Sequence, residues 1–285
     1  MNDKVTDLIK LSDKLEKPSF FSRIFDDQYQ RMSSLNNTYD KIINIYLHNK
    51  KYEDASVYAL KRLELVKKHL SDDINITKLY LQLGNIFQYF DVNKSIEYYK
   101  IAYENNIEEN NTQGTITNIE NIAKLYEKIN CITNTIEWYM KIFDLNLPEI
   151  IEMKYLKLIA ELYVKIDQFE NAHQYYHKLV EISVGHDMGK YFIMSYLTLS
   201  LLCYMCNNNY DDIITKYNEY QETYFIFHDK FENKFLENLF DCVKNESLEK
   251  FQECVCDYNI IKTLSDIEIK ILLKVKTNII KNSIL

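Results

Sequence analysis

Five aromatic residues, Tyr46, Phe87, Tyr126, Tyr163 and Tyr204, follow one another at steps of 41, 39, 37 and 41 residues. Each of the first four has a second aromatic 12 residues later: Tyr58, Tyr99, Trp138 and Tyr175. Tyr204 finds Tyr217 at 13. Gly84, Ala123 and Ala160 sit three residues before a rung. A small residue one turn before a ring lets two antiparallel helices approach closely, with the ring in the next groove. A period of roughly 40 residues belongs to helical-hairpin arrays. The spacing predicts an all-α, TPR-like superhelical solenoid of antiparallel helical hairpins, with the rungs in its core.

Composition supports that class and narrows the function. Only 4 Gly and 2 Pro occur in 285 residues, too few for turn-rich β architectures. Hydrophobic residues make up 47%, enough for a packed core. A net charge of −8 argues against nucleic acid as the main partner, because phosphate contacts need a basic face. The opening MNDKVTDLIK is charged and has no apolar core, and no run of 18 apolar residues occurs. Neither a leader nor a membrane span is expected. The six cysteines are irregularly spaced and read as free thiols of a cytoplasmic protein.

Along the chain, residues 3–16 have one apolar side. Pro18 ends that helix. The following Phe20, Phe21, Ile24 and Phe25, around Ser22 and Arg23, put an apolar knot where a loop should be polar. Two readings stay open: a hydrophobic staple onto the next helix, or an exposed wedge that enters a bilayer interface. Hairpins are expected at 29–48 with 51–68, 76–90 with 93–107, 115–129 with 132–145, and 149–166 with 168–184. Asp91 is the expected N-cap of the second hairpin's return helix. The polar stretch 105–114 should separate the second hairpin from the third, and Gly185 and Gly189 should mark the clearest turn. A looser hairpin follows at 190–206 and 209–226. Beyond about 230 the period is lost, and helices near 230–244, 247–256 and 264–281, with Ser247 and Ser265 as N-caps, suggest a capping bundle. The expected domains are 1–228, a hairpin solenoid that includes the 18–25 loop, and 229–285, a C-terminal helical bundle.

No chemistry-bearing motif stands out. Cys203 and Cys206 form half a zinc site without a second half and lie in the apolar run LSLLCYMC, so they read as core thiols. His173 and His177 have HExxH spacing, but Gln174 replaces the catalytic Glu; they read as a solvent-exposed pair. No phosphate-cradling Gly-rich loop is present. The chain is expected to be no enzyme and to hold no cofactor or metal.

The order of features resembles the soluble NSF attachment proteins of the alpha/beta type. Phe20-Phe21-Ser22-Arg23-Ile24-Phe25 is similar to the family's FFSxLF membrane loop. Gly84-Asn85-Ile86-Phe87 with Ser95-Ile96-Glu97 is similar to GNAF…EAI. Asp257 to Ile260, Leu264 to Asp266 and Ile271 to Lys276 resemble EYDSI…RLD…MLLRIK. The resemblance implies an adaptor that binds assembled SNARE four-helix bundles, touches membrane through Phe20, Phe21, Ile24 and Phe25, and recruits the NSF-type AAA ATPase for disassembly in vesicle fusion. It implies SNARE contacts at Lys154 and Lys190, to which the neighbouring Lys157 could add, and NSF contacts at Asp241 and Leu285. It also implies a cytoplasmic, peripheral-membrane location. Other basic family positions fall on Gln88, Tyr89 and Thr117 here, and the acidic cluster of the family's tail is missing. Two alternatives therefore stand beside it: a generic TPR-like interaction scaffold, and a SNARE-binding mimic that inhibits disassembly.

Overall fold

The computed structural model describes residues 2–19, 27–71, 73–185, 192–224 and 230–282. Among them the chain is helical, with α1 Asn2–Glu16, α2 Gln28–His48, α3 Tyr52–His69, α4 Ile76–Phe87, α5 Val92–Glu108, α6 Thr112–Lys128 and α7 Ile132–Met140. A 3₁₀ turn, Lys141–Leu145, follows. Then come α8 Glu149–Lys165, α9 Phe169–Gly185, α10 Ile193–Met205, α11 Tyr210–Thr223, α12 Phe231–Lys244, α13 Leu248–Ile261 and α14 Asp266–Asn282. The hairpins fall where the periodicity placed them. The fold class is all-α and built from TPR-like hairpins. Contacts divide the chain into two compact units, residues 1–138 and 139–285.

The first unit is a stack in which each helix packs on the next in chain order, α1 through α6. Its core is made of residues such as Ile43, Ala59, Leu83 and Ile86. The turns explain the aromatic spacing. Lys50, Asn110, Asn130, Asp167 and Glu246 have φ between 51° and 61°. Each sits between two helices, and the residue after it works for both. The Lys51 N–H donates to Tyr46 O, 2.9 Å, while Lys51 O receives the Ala55 N–H, 3.0 Å. Cys131 does the same between Tyr126 and Thr135, and Gln168 between Tyr163 and Ala172. Asn111 and Ser247 repeat the arrangement. Such a motif satisfies the last carbonyls of one helix while capping the next. The rungs Tyr46, Tyr126 and Tyr163 are therefore the residues whose carbonyls close a helix.

The step to the second aromatic follows. The N-cap lies five residues after the rung, and seven further residues make two turns, so the later ring faces back. Tyr46 and Tyr58 rings lie 5.9 Å apart, and Tyr163 and Tyr175 5.4 Å apart. At Phe87 the connection is one residue shorter: the Asp91 N–H donates to Phe87 O, 2.8 Å. The ring that meets Phe87 is accordingly Tyr98, at 5.3 Å, and not Tyr99. After Tyr204 the same count lands on Lys216, whose Nζ is 6.0 Å from the Tyr204 ring centroid. Of the five rungs only Phe87 is fully buried; the others are half-buried, because a helix-closing residue stands at the rim of the stack.

The predicted close approach is present at Gly84. A Cβ there would lie 2.8 Å from Tyr99 Cδ1 and Cε1. Ser95 Oγ donates to Gly84 O, 2.7 Å, and Tyr99 Oη donates to Asn85 Oδ1, 2.7 Å. At Ala123 the equivalent donor is Thr135 Oγ1, 3.4 Å away. The stretch 105–114, expected to be a polar break, is mostly helix; the turn proper is Glu109–Asn111. Asp91 caps α5 as expected, accepting from the Lys94 N–H at 3.1 Å. The Gly185–Gly189 turn lies largely outside the described residues.

The second unit is closed differently. α10 packs against α9, α11, α12 and α14, and α14 returns to α8 as well. Eleven residues of α10 are buried, which accounts for its all-round apolar sequence. The core runs continuously from Leu156 to Ile279. Ser247 takes the N-cap position of α13 without a side-chain cap bond. Ser265 forms a capping box with Glu268: its N–H and Oγ donate to Glu268 Oε2 at 2.9 and 2.7 Å, and the Glu268 N–H donates back to Ser265 Oγ at 3.3 Å. Lys262 Nζ adds a contact at 3.0 Å. Burial pushes the Glu268 carboxyl up, but the Ser265 and Lys262 bonds outweigh it and hold it below its ordinary 4.5.

Three predictions follow from these contacts. Gly84→Ala should destabilise by about 1–3 kcal/mol in denaturant unfolding, since the pinned Tyr99 ring must move; a gain, as helix propensity alone would give, refutes the close approach. Glu246→Gly should stabilise by about 0.5–1 kcal/mol by releasing a left-handed non-glycine residue. Glu268→Gln should cost about 2 kcal/mol at neutral pH. Because the folded carboxyl titrates below 4.5, its stabilisation is present above that pH and lost as pH falls through the folded value. Wild-type and variant melting temperatures should converge only in that acid range.

Candidate functional site

Of the residues assigned SNARE contacts, Lys154 and Lys157 lie on α8. Pro148 opens that helix, and Glu149 and Glu152 stand in its first turn, where carboxylates complement the helix dipole. Tyr155, Leu156, Ile159 and Ala160 are buried. That packing turns Ile150, Lys154, Lys157 and Glu161 into one stripe, in which the first three are exposed and Glu161 is half-buried. Lys154 Nζ is 4.9 Å from the Tyr155 ring centroid. Lys157 Nζ is 3.8 Å from Glu161 Oε1. Burial pushes the Glu161 carboxyl up, against the pull of Lys157 and Lys165. The stripe thus offers two exposed ammonium groups beside an exposed isoleucine, a surface suited to an acidic partner.

Asp241 is exposed in the last turn of α12. Its carbonyl, not its carboxylate, holds Asn245, through the Asn245 N–H at 3.0 Å and Nδ2 at 2.8 Å. Lys244, one turn on, lies with its Nζ 5.5 Å from the Tyr210 ring centroid. Glu237, one turn back, accepts from Tyr217 Oη at 2.8 Å. This face carries mixed charge. Phe20, Phe21, Ile24 and Phe25, together with Lys190 and Leu285, lie outside the described residues.

The half-zinc pair is core, as read from the sequence. Cys203 and Cys206 are buried, and Cys206 Sγ points at Leu202 O, 3.4 Å, and Ile271 O, 3.7 Å. Burial pushes the Cys203 thiol well up and that of Cys206 to about 12. The histidine pair is a correction. His173 is only 8% exposed. Its Nδ1 lies 3.0 Å from Ser200 O and 2.9 Å from Ser200 Oγ, which in turn meets Tyr220 Oη at 3.0 Å. His177 stacks on the Tyr220 ring at 5.3 Å. Burial lowers the His173 pKa, so it is a neutral core residue. The i, i+4 spacing was visible, but which side of α9 would meet α10 was not.

Sequence reasoning missed an apolar surface at the end of the chain. Ile260 and Ile261 are 82% and 66% exposed, and Leu273 57%. Leu273 also lines a groove of about 200 Å³ between α13 and α14, together with Phe251, Val255, Leu264 and Leu272. The available signal was the pair Ile260-Ile261 at a helix end, where polar residues are the rule. In the first unit, Tyr89 stacks on Tyr52 at 3.9 Å, and Gln88 and Tyr89 line a groove of about 940 Å³ together with Arg62, Lys78, Gln82 and Asn85. Among the described residues no helix is long and apolar enough to cross a membrane.

Comparison with solved structures returns helical proteins at low identity. The apo form of RapI aligns at 14% identity and TM-score 0.44, over 99% of this chain and 94% of that one. Aspartyl phosphate phosphatase F from Bacillus subtilis aligns at 15% and 0.41, over 88% and 68%. BtubC from P. vanneervenii aligns at 11% and 0.40, over 71% and 82%. These TM-scores are low, and nothing about function follows from them. No curated protein sequence matches the chain. The family model for "Soluble NSF attachment protein, SNAP" matches residues 3–280. With nearly the whole length matched, the chain belongs to the soluble NSF attachment protein family.

Proposed function

We propose that this protein is an adaptor that binds assembled SNARE four-helix bundles and membrane and recruits an NSF-type ATPase to take the bundles apart. The match of the family model over residues 3–280 carries the reading. The exposed Lys154–Lys157 stripe on α8 supports it, since an acidic helical bundle is met by cations that need no exact register. In this reading Lys190 adds to the SNARE surface. Phe20, Phe21, Ile24 and Phe25 hold the adaptor at the bilayer, raising its local concentration at SNAREs. Asp241 and Leu285 face the ATPase. Functionally the chain then divides near residue 228, with the hairpins before it meeting SNAREs and the helices after it meeting the ATPase. The adaptor works in the cytoplasm as a peripheral membrane protein and is not itself catalytic.

One observation favours a second reading, a mimic that occupies SNAREs and blocks disassembly. Asp241 stands beside Lys244 and Asn245, and Glu237 is engaged by Tyr217, so this face of α12 carries mixed charge in place of a purely acidic patch.

Disassembly of a purified SNARE complex by the ATPase, with this protein as sole adaptor, separates the readings. Turnover supports the adaptor, binding without turnover supports the mimic, and absence of binding leaves a TPR-like scaffold for another partner. Lys154→Glu with Lys157→Glu should weaken SNARE binding by about tenfold or more at low salt, with the difference shrinking as salt rises. Equal affinity for wild type and the double variant removes α8 from the interface.

A further inference from the structure

Two of the first unit's three arginines, Arg31 and Arg62, stand on neighbouring helices and have opposite fates. Arg62 of α3 is saturated: its Nε donates to Asn36 Oδ1 at 2.9 Å, and its Nη1 meets Asp40 and, at 3.2 Å, Gln82 Oε1. It is a structural residue. Arg31 of α2 makes no such contacts among the described residues. Its Nε is shielded from solvent and, among the described residues, accepted by nothing. A shielded donor left unmade costs free energy, so its persistence calls for an acceptor that the described residues do not provide.

Arg31 lines a hollow of about 410 Å³ between α2 and α3. The α3 wall supplies Lys61, Glu64, Lys68 and His69, spaced along one face of that helix. Glu16 and Lys61 neutralise each other at 3.1 Å, and Glu16 also takes the Tyr39 hydroxyl. That leaves Arg31 and Lys68, with the His69 imidazole beside them, against the single carboxylate of Glu64. In a chain of net charge −8, this hollow is locally cationic. Its position also matters. Glu16 is the last residue of α1 and Gln28 the first of α2, and both line it. The hollow therefore lies at the two ends of the connection that carries Phe20, Phe21, Ile24 and Phe25.

We infer that the Arg31–Lys68–His69 hollow binds a phosphomonoester, supplied by the headgroup of an anionic phospholipid. A guanidinium fork suits phosphate oxygens, and an ammonium adds a point charge. The location ties headgroup recognition to insertion of the neighbouring aromatic residues, two weak signals that together hold a peripheral protein at a membrane. This inference rests on the reading of the Phe segment as membrane-binding, and it adds a lipid class to it.

Co-flotation with three vesicle types tests it: phosphatidylcholine alone, phosphatidylcholine with phosphatidylserine, and phosphatidylcholine with a phosphatidylinositol monophosphate at matched total charge. Wild type should prefer the monophosphate vesicles. Arg31→Gln and Lys68→Gln should each reduce that preference by about fivefold and leave binding to neutral vesicles unchanged. Glu64→Gln, which removes the competing carboxylate, should increase it. Lys67→Gln, whose ammonium sits 5.2 Å from the Tyr80 ring centroid outside the hollow, should change nothing. Equal losses for Lys67→Gln and Lys68→Gln, or no preference over phosphatidylserine at matched charge, overturn the site. Loss of preference in Glu64→Gln does so as well, without relying on a variant that removes a packed cation. Inorganic phosphate that binds the hollow while the monophosphate vesicles gain nothing overturns the lipid source. Failure of the membrane reading is separate: there, Phe20→Ser with Phe21→Ser binds neutral vesicles as well as wild type does.

Discussion

A single residue shared between two helices sets the geometry on which this chain depends. Lys51, Asn111, Cys131, Gln168 and Ser247 each give their N–H to the helix behind and their carbonyl to the helix ahead. The preceding residue must then turn left-handed, and five non-glycine residues do so. Four orphan carbonyls end every helix, and a connection this short satisfies some of them while starting the next cap. It also fixes the phase between the two helices. Once five residues separate the closing aromatic from the next N-cap, two further turns bring a side chain back against it. The exception at Phe87 follows the same rule: a connection shorter by one residue shifts its partner by one, to Tyr98.

The same rule explains where the repeat stops being visible. In the first unit each helix meets its chain neighbours, so each hairpin sees the same surroundings and the same pattern recurs. In the second unit α10 is surrounded by α9, α11, α12 and α14. A helix surrounded in this way has no polar face to keep, and its apolar stripe widens until no period remains. The loosening of the repeat after residue 190 thus marks a change in packing partners. The continuous core from Leu156 to Ile279 joins helices on both sides of residue 228, so a division there concerns what the surfaces do and not how the core is built.

Much of the fold was legible because helix ends and apolar faces are local properties. Asp91 and Ser265 were readable as caps, and Gly84 as the point of close approach, from a few neighbouring residues each. Features that need two distant segments were not. His173 resembled an exposed residue until Ser200, 27 positions later, met its ring nitrogen. The exposure of Ile260 and Leu273 depends on how α13 and α14 lie together, which no single-helix pattern contains. The candidate site divides along the same line. Lys154 and Lys157 could be placed on one helix face from their spacing alone. Arg31 and Lys68, 37 residues apart, become neighbours only through the α2–α3 pairing.

That difference bears on how an acidic protein presents positive charge. A lysine carries little information until its surroundings are known. Lys262 is spent on Glu268, Lys61 on Glu16, and Lys270 on Asp167. Each such pair holds tertiary structure and offers a partner almost nothing. What remains for recognition are cations at exposed or groove positions: Lys154 and Lys157 on the α8 stripe, and Arg31 and Lys68 in the α2–α3 hollow, where Glu16 is already committed to Lys61. In the hollow it is the commitment of Glu16 to Lys61, more than the number of lysines, that leaves positive charge for an acidic partner.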